Sequence, residues 1–302
     1  MIERTKRPDI IERMMERGFE EKTSSPENDE YRRIIYEEQH PRIRGKASKE
    51  RREFHSPYEA TEHIKRFAKD NGADRVAVCR INQSWVYKEV EVPYKFGIVL
   101  LKGMKYEEIM KAPAKEAGIE TTKTYMILGE TTVRMGEHVR EIGHNAMIHH
   151  PRGDEQNRCD LMYVPHAISA GLGEHGRNGI LINYDYGPRV RLGMVSTDLE
   201  LVTDIPNEKG IARFCDYCMK CYNNCPMHAL PLKKAVTRSQ EKFTSDAELC
   251  SQFFEKTDGC SICIRDCVFN QPSIEKTHKL LKKINSWHNI VKASPDWPSF
   301  NK

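Results

Sequence analysis

The stretch that decides the fold is FCDYCMKCYNNCPMHAL, residues 214–230, which carries four closely spaced cysteines. Gaps of two, two and three residues separate them, and a proline follows the last: Cys215, Cys218, Cys221, Cys225 and Pro226. This spacing is one that proteins use to hold a [4Fe–4S] cluster. A cubane needs four thiolates from tetrahedral directions, so three come from this tight loop and the fourth must come from elsewhere in the chain.

A second set of four cysteines follows, with gaps of nine, two and three residues. In proteins with two such clusters, the fourth cysteine of each run binds the cluster of the other run. We therefore predict two ligand sets, which we name cluster A (Cys215, Cys218, Cys221 and Cys267) and cluster B (Cys225, Cys250, Cys260 and Cys263).

Zinc is the alternative to iron, because two CxxC pairs can also form an all-thiolate zinc site. Four cysteines at the spacing of the first run are crowded for one tetrahedral ion and normal for a cubane. The pattern favours two [4Fe–4S] clusters, and therefore a protein that transfers electrons one at a time.

The composition indicates a globular protein in a reducing compartment. The 302 residues have a mean hydropathy of -0.68 and no long apolar run, so we expect no membrane span. The 48 basic and 44 acidic residues nearly balance at +4, which argues against a nucleic-acid partner. Eight of ten cysteines fall in the cluster runs, leaving Cys79 and Cys159, too few for a disulfide framework. The charged N-terminus has no apolar signal segment, so we expect a cytoplasmic protein.

Periodicity predicts an α+β core ahead of the cysteines. A helix should run from Ser56 to Asn71, and a longer one over 121–142, closed by Gly143, because apolar residues recur at helical spacing. Short apolar runs rich in β-branched residues predict three strands, over 75–81, 96–101 and 189–197. We divide the chain into a charged arm of short helices and extended chain, a catalytic core, a cysteine module and a polar tail (1–55, 56–212, 213–275 and 276–302).

A glycine-rich loop, Gly171-x-Gly173-x2-Gly176, lies between the long helix and the last strand. It resembles a dinucleotide fingerprint, but such a fingerprint must follow a strand, open a helix and precede an acidic residue by about 20 positions. The preceding PHAISA is not a clear strand, and no acid is suitably placed. We expect these glycines to let the backbone approach another surface closely.

The segment AGLGEHGRNGILINYDYGPRVRLGMVSTDL (residues 170–199), followed by the two cysteine runs, resembles the corrinoid-dependent reductive dehalogenases. Further similar pieces are Trp85-Val86-Tyr87, FGIVLLKGM after Lys95, and CVFNQP at the second run, so the resemblance covers about residues 58–275. It implies a nitroreductase-like core enclosing base-off cobalamin, with a ferredoxin-like module for two [4Fe–4S] clusters.

The chain departs from that family in four places. Val268 replaces the proline usual after the last cysteine, and MIHHPRGDEQNRCD (residues 147–160) replaces a Ser-Gly-Asn-Asp segment. The usual signal peptide is absent from the sequence, and the chain is shorter than typical members, so we expect part of the substrate lid to be missing. The changed segment affects the expected substrate class most.

The resemblance also implies site residues. Tyr125 takes the place of the general acid and Arg191 that of its assisting cation; the alternatives are a core tyrosine and a strand ion pair. Corrinoid contacts are expected from the glycine loop and one upstream histidine (Gly171, Leu172, Gly173, Gly176, Arg177 and His166). The Asp-x-His-x-x-Gly signature of proteins that place a histidine beneath cobalt is absent, and His175 does not fit it. We therefore expect cobalamin without a protein axial ligand.

Four residues of the divergent segment suggest a metal site, namely His149, His150, Asp154 and Cys159. Their spacings follow no standard zinc pattern. We expect polar loop residues, some of which line the substrate pocket.

Taken together, the sequence predicts a reductive dehalogenase that replaces a carbon-bound halogen with hydrogen. Its partners would be a halogenated organic molecule and an external low-potential donor such as ferredoxin or flavodoxin, and a homodimer is allowed. One alternative is an epoxyqueuosine reductase-like enzyme acting on tRNA, whose family has Gly-Trp-x-Gly-Lys-Asn at the glycine loop and an acidic proton donor. Another is a non-catalytic electron carrier, which would not need the long patterned core.

Overall fold

The computed structural model describes residues 4–6, 10, 13–14, 25–154, 157–237, 240–257 and 259–292, the last six as backbone only. The α-helices are α1 Pro26–Arg33, α2 Pro57–Asp70, α3 Tyr106–Ile109, α4 Lys115–Glu141, α5 Tyr163–Ser169, α6 Ile211–Tyr217, α7 Lys220–Asn223, α8 Ala247–Thr257, α9 Ile262–Arg265 and α10 Ile274–Lys292. A π-helical turn, Ile34–Gln39, and short 3-10 turns, His40–Arg42 and Gln83–Trp85, complete the helical set. The strands are β1 Arg75–Arg80, β2 Phe96–Gly103, β3 Ala146–His149, β4 Gly173–His175, β5 Leu181–Asn183, β6 Val190–Thr197, β7 Ala235–Thr237 and β8 Gln240–Lys242.

The core is a four-stranded antiparallel sheet in the order β1-β2-β6-β3. Both faces of the central strand β2 are buried: Ile98 and Leu100 face α2 and α4, whereas Val99 and Leu101 face α5. A strand covered on both faces has no polar side, which explains why its sequence is one continuous apolar run. The three predicted strands are confirmed, and with the helices they give the mixed helix and strand architecture that was expected.

Helix α4 crosses this sheet and carries the residues of the candidate site. It begins at Lys115, six residues before the predicted start, because the added residues that it buries are small or polar (Ala117, Gly118 and Glu120) and form no apolar stripe that periodicity could detect. It packs directly on β6 at Gly193, where an added Cβ would lie 2.4 Å from Thr132 Oγ1. The missing side chain therefore sets how closely the helix approaches the strand.

The glycine loop is not a dinucleotide fold. The segment before it forms helix α5, and Gly173 then opens strand β4, which pairs with β5 as a hairpin. Gly171 has φ of +75°, and a Cβ there would lie 2.4 Å from the Ile205 carbonyl oxygen. The expectation that these glycines permit close backbone approach is confirmed.

The ends of the chain contain more structure than their polar sequences suggest. Helix α1 and the following π-helical turn pack on α4, in agreement with the expected short helices of the N-terminal region. The segment predicted as a polar tail continues helix α10 to Lys292 and buries Leu281 and Ile284 beside Ile211 of α6. Leu281 and Ile284 lie one helical turn apart and are separated by two lysines, so the sequence shows no clear apolar face there. No helix among the described residues is long and apolar enough to cross a membrane.

Candidate active site and cysteine clusters

Tyr125 and Arg191 meet where α4 lies over β6. The guanidinium carbon of Arg191 stands 4.9 Å from the centre of the Tyr125 ring, close enough for cation–π attraction. Tyr125 and Arg191 lie 66 positions apart in sequence. They come into contact because α4 packs closely on β6 at nearby Gly193. The structure therefore brings together the two residues that the resemblance named.

Arg191 keeps much of its hydrogen-bonding capacity. Its Nη2 donates to Thr121 Oγ1 at 3.2 Å, and its buried Nε has no hydrogen-bond partner in the described part of the chain. Lys102 is its cross-strand neighbour, but that ammonium is taken up by Asp74 at 2.8 Å. No carboxylate of the described residues forms an ion pair with Arg191, so it is a cation directed at Tyr125 and not a structural ion-pair partner.

A second guanidinium approaches Tyr125 from the divergent segment. The Arg152 Cζ lies 5.9 Å from the Tyr125 ring centre, and its Nε donates to the Tyr36 hydroxyl and to Asn157 Oδ1, both at 3.2 Å. Sequence patterns did not indicate Arg152, because its position over Tyr125 depends on the turn that follows β3. The N-terminal region thus closes one side of the site through Tyr36.

Tyr163 is a further neighbour of Tyr125 that the sequence did not indicate. Its hydroxyl donates to the His150 carbonyl oxygen at 2.7 Å. Burial of that hydroxyl, aided by nearby Cys159 and Asp160, raises its pKa well above the ordinary value. The Tyr163 hydroxyl is therefore neutral, and its proton lies in the hydrogen bond to the His150 carbonyl oxygen.

The two histidines of the divergent segment are buried parts of the core. His149 ends strand β3 and contacts Asp160 Oδ2 and Ser196 Oγ, each at 2.9 Å. The ring of His150 accepts from the Arg152 N–H and donates to Gln39 Oε1 at 3.0 Å, and burial holds its pKa well below the ordinary value. The prediction of a loop position is therefore wrong for His149, which ends β3, whereas His150 lies just after the strand and is buried. The Asp154 carboxylate binds Arg158 within its own turn, and Cys159 lies half-buried beyond it.

His166 and His175 differ in how many of their ring nitrogens form hydrogen bonds with described residues. His166 is completely buried; its Nδ1 donates to the Met162 carbonyl and its Nε2 accepts from the Asn82 N–H, and burial lowers its pKa to about 4. The His175 Nδ1 donates to the Gly176 carbonyl at 3.2 Å, and burial lowers its pKa to about 4 as well. His175 also lines an open cavity between β4 and β8.

The glycine loop, predicted to contact a cofactor, lies close to other parts of the chain. A Cβ on Gly173 would lie 2.3 Å from the Ile182 carbonyl oxygen, and one on Gly176 would lie 2.6 Å from Asn178 Oδ1. The Leu172 side chain is buried, and its carbonyl accepts from Asn183 Nδ2 at 2.6 Å. These residues hold the β4–β5 hairpin against the core.

The cluster A thiols line one cavity of the protein. Its wall contains all four predicted ligands together with Arg177, Asn178 and Lys220 (the thiols being those of Cys215, Cys218, Cys221 and Cys267). Burial raises the pKa of Cys215 to about 12 and that of Cys267 well above the ordinary thiol value. A metal centre binds thiolates, so its assembly must release these protons.

The cluster B thiols lie close enough to influence one another. Burial, together with the neighbouring thiols of Cys260, Cys250, Cys221 and Cys225, raises the pKa of Cys263 to about 12. Because Cys221 belongs to the other set, the two sets are adjacent. No three His, Cys, Asp or Glu side chains of the described residues converge closely enough to hold a single metal ion.

Sequence comparison finds relatives of two kinds, reductive dehalogenases and epoxyqueuosine reductases. No protein-family model matches the chain. It is 31% identical over 218 residues to a tetrachloroethene reductive dehalogenase of Desulfitobacterium hafniense, a match that takes in 68% of this chain and 36% of that relative. An epoxyqueuosine reductase of Lactococcus garvieae is 31% identical over 145 residues, which is 45% of this chain and 37% of that protein. The chain thus spans about a third of the length of these curated relatives.

Solved structures of similar fold carry related names. A catabolic reductive dehalogenase in complex with 3-bromo-4-hydroxybenzoic acid matches with a TM-score of 0.80 at 22% identity, over 97% of this chain and 46% of that one. A second reductive dehalogenase structure, described as suggesting a mechanism for B12-dependent dehalogenation, matches with a TM-score of 0.75 at 23% identity, over 86% and 40%. These likenesses show a shared fold. Together with the sequence relatives they confirm the predicted resemblance, and the chain is a homologue of the reductive dehalogenases.

Proposed function

We propose that this chain is a cobalamin-dependent reductive dehalogenase, an oxidoreductase that replaces a carbon-bound halogen with hydrogen. The observation that carries the proposal is the contact between Tyr125 and the unpaired Arg191, on a core homologous to named reductive dehalogenases. In the overall reaction a halogenated carbon gains two electrons and one proton and releases a halide ion. The chain must therefore deliver both electrons and protons to one place.

We assign proton delivery to the Tyr125 hydroxyl. A tyrosine hydroxyl is one of the groups that can act as a general acid when it is positioned beside the reacting atom. The Arg191 guanidinium, 4.9 Å from the ring centre, favours the phenolate that is left after the proton has moved to carbon. Arg152 stands on another side of the ring at 5.9 Å and acts in the same direction. A positioned general acid typically contributes about 10²–10⁴-fold in rate.

We assign electron delivery to the two cysteine sets. The thiols of each set lie near one another and the sets adjoin, which supports two [4Fe–4S] clusters that pass electrons singly to the core. An external donor such as a ferredoxin or flavodoxin would supply them. The exposed side chain of Lys220, which lines the cluster A cavity, suits a negatively charged partner.

The donor groups of the core fit a corrinoid that has no protein nitrogen on its metal. His149, His150 and His166 each have both ring nitrogens engaged by the protein. His175 lines a cavity, so it is the histidine that an experiment must exclude as a ligand of the corrinoid metal. When bound, a corrinoid supplies a strongly reducing metal centre for breaking the carbon–halogen bond.

The two activities correspond to two parts of the chain. We propose a nitroreductase-like core over 56–212 and a ferredoxin-like module over 213–275.

The test is electron paramagnetic resonance of the protein reconstituted anaerobically with iron, sulfide and cobalamin, combined with halide release from a halogenated substrate. We expect the spectrum of the Co(II) form to lack nitrogen superhyperfine splitting, and the reduced protein to release halide. A triplet splitting that disappears in His175→Phe would show a protein ligand and overturn the axial assignment. Failure to retain cobalamin at all would overturn the proposed function.

A further inference from the structure

Resting on the two-cluster part of the proposed function, we propose that Arg177 is the internal counter-ion of cluster A. It fixes the loop that carries three of the ligands and makes that cluster easier to reduce than it would otherwise be. Arg177 was expected at the corrinoid, but its guanidinium lies against the cysteine loop. It is therefore a positioning residue for cluster A.

The guanidinium forms a clamp made of backbone contacts. Arg177 is 2% exposed, and its Nε donates to the carbonyl oxygens of Cys215 and Cys218 at 3.1 and 2.9 Å. Its Nη2 donates to the Asp216 carbonyl at 3.0 Å. Its Nη1 reaches the carbonyls of two further residues, Pro231 and Leu232, at 3.0 and 2.9 Å. One side chain from the β4–β5 hairpin thus holds both flanks of the first cysteine run.

The charge of this clamp is not balanced by an acid. No carboxylate of the described residues forms an ion pair with Arg177, and its other close neighbour is the Phe243 ring, 4.3 Å from Cζ. A buried charge is costly unless it is paired, and carbonyl dipoles with an aromatic face offset only part of that cost. Arg177 lines the same cavity as the four cluster A thiols. A cubane held by four thiolates is anionic, so it supplies the missing negative charge.

The same pairing affects the electron affinity of cluster A. A cluster becomes more negative on reduction, and a fixed cation beside it favours the reduced form, because net charge near a cluster sets its potential. In the described part of the chain, cluster B has no comparable unpaired guanidinium. Arg265, its nearby guanidinium, is neutralised by Asp266, with contacts at 2.7 and 2.9 Å. The effect is thus specific to cluster A.

Lysine could not replace this group in full. An ammonium is a point charge with three donors, whereas the planar guanidinium fork reaches carbonyls from two separate segments at once. Arg177→Lys should retain the charge and lose part of the clamp. Arg177→Met removes both and keeps a similar apolar length. Comparing Arg177→Lys with Arg177→Met separates the effect of the charge on the cluster potential from the effect of the hydrogen bonds on the loop.

The experiment is a redox titration, followed by electron paramagnetic resonance, of the full chain reconstituted with iron, sulfide and cobalamin. Cys218→Ser and Cys260→Ser variants identify the signals of clusters A and B. In Arg177→Met we expect the equilibrium constant for reducing cluster A to fall about tenfold, or about 59 mV for one electron, with cluster B unchanged. Arg177→Lys should show a smaller shift and a less firmly held cluster A.

Arg140→Met is the matched control. Arg140 is also buried and donates only to carbonyls, those of Ala146 and Ile43, but it lies in the core away from the cysteines. We expect it to keep both cluster potentials. Selective loss of cluster A from Arg177→Met, with Arg140→Met intact, also supports the clamp. Unchanged potentials in Arg177→Met, or equal loss of both clusters in the two Met variants, would overturn the inference. Absence of iron from the wild type would instead count against the proposed function.

Discussion

The cysteine module and the Tyr125 site are built in opposite ways. In the module, seven of the eight predicted ligands come from two local runs and the eighth is Cys250, and the chemistry of thiolates restricts which groups they can bind. At Tyr125, the neighbours come from different parts of the fold: Arg191 from β6 and Arg152 from the turn after β3, with Arg152 bonded in turn to Tyr36 of the N-terminal region. The first region depends on ligand chemistry, and the second on packing.

This difference predicts how each region responds to change. A missing ligand in the module should remove a cofactor, since metal binding energy is also folding energy there. A small change near Tyr125 should leave the cofactors in place and alter geometry by a fraction of an ångström. The two regions can therefore be perturbed separately.

The largest effect is expected from Cys221→Ser. It removes one cluster A ligand, so we expect iron to fall from about eight to about four per chain, together with a loss of stability. The measurement is iron content with thermal unfolding. Cys79→Ser makes the same change at a buried cysteine outside both sets and should keep the full iron content. Equal iron in the two variants would contradict the assigned ligand sets.

Tyr125→Phe should lower turnover on the order of 10²-fold or more while cobalamin and iron contents stay normal, because it removes only the proton-carrying hydroxyl. Arg191→Lys keeps the charge without the planar fork, so an intermediate loss is expected. Rates of halide release at equal cofactor content measure both. Tyr31→Phe, whose hydroxyl contacts Glu27 on the N-terminal arm, is the control and should turn over normally. Wild-type turnover in Tyr125→Phe would return Tyr125 to the role of a core residue.

Gly193→Ala should give the smallest of these effects and tests the packing that assembles the site. Its Cβ would lie 2.4 Å from Thr132 Oγ1, so α4 must move off β6, at a cost of about 1–3 kcal/mol in the free energy of unfolding. Urea unfolding measures this cost. Adding Thr132→Ala removes the clashing hydroxyl and should recover part of the loss. If the double variant is no more stable than the sum of the single changes, this contact does not set the helix position.

Sequence predicted the module better than the site for a physical reason. Spacing between thiols fixes their ligand sets, and the placement of the cluster A thiols around one cavity agrees with the set inferred from spacing. A continuous apolar run located strand β2, and helical periodicity located most of helix α4, because both patterns follow burial. It could not locate Arg152 over Tyr125, since that contact depends on the fold of a single irregular segment. Nor could it show that Arg177 serves the cysteine loop, because its carbonyl partners lie up to 55 residues away.

The central claim is that one chain combines two iron–sulfur clusters with a corrinoid-binding core, and metal analysis tests it most directly. The chain is reconstituted anaerobically with iron, sulfide and cobalamin, freed of unbound cofactor, and its cobalt, iron and zinc are quantified together. The account predicts about one cobalt and about eight iron per chain. Iron without cobalt would indicate an electron carrier, and stoichiometric zinc without iron would contradict the account altogether.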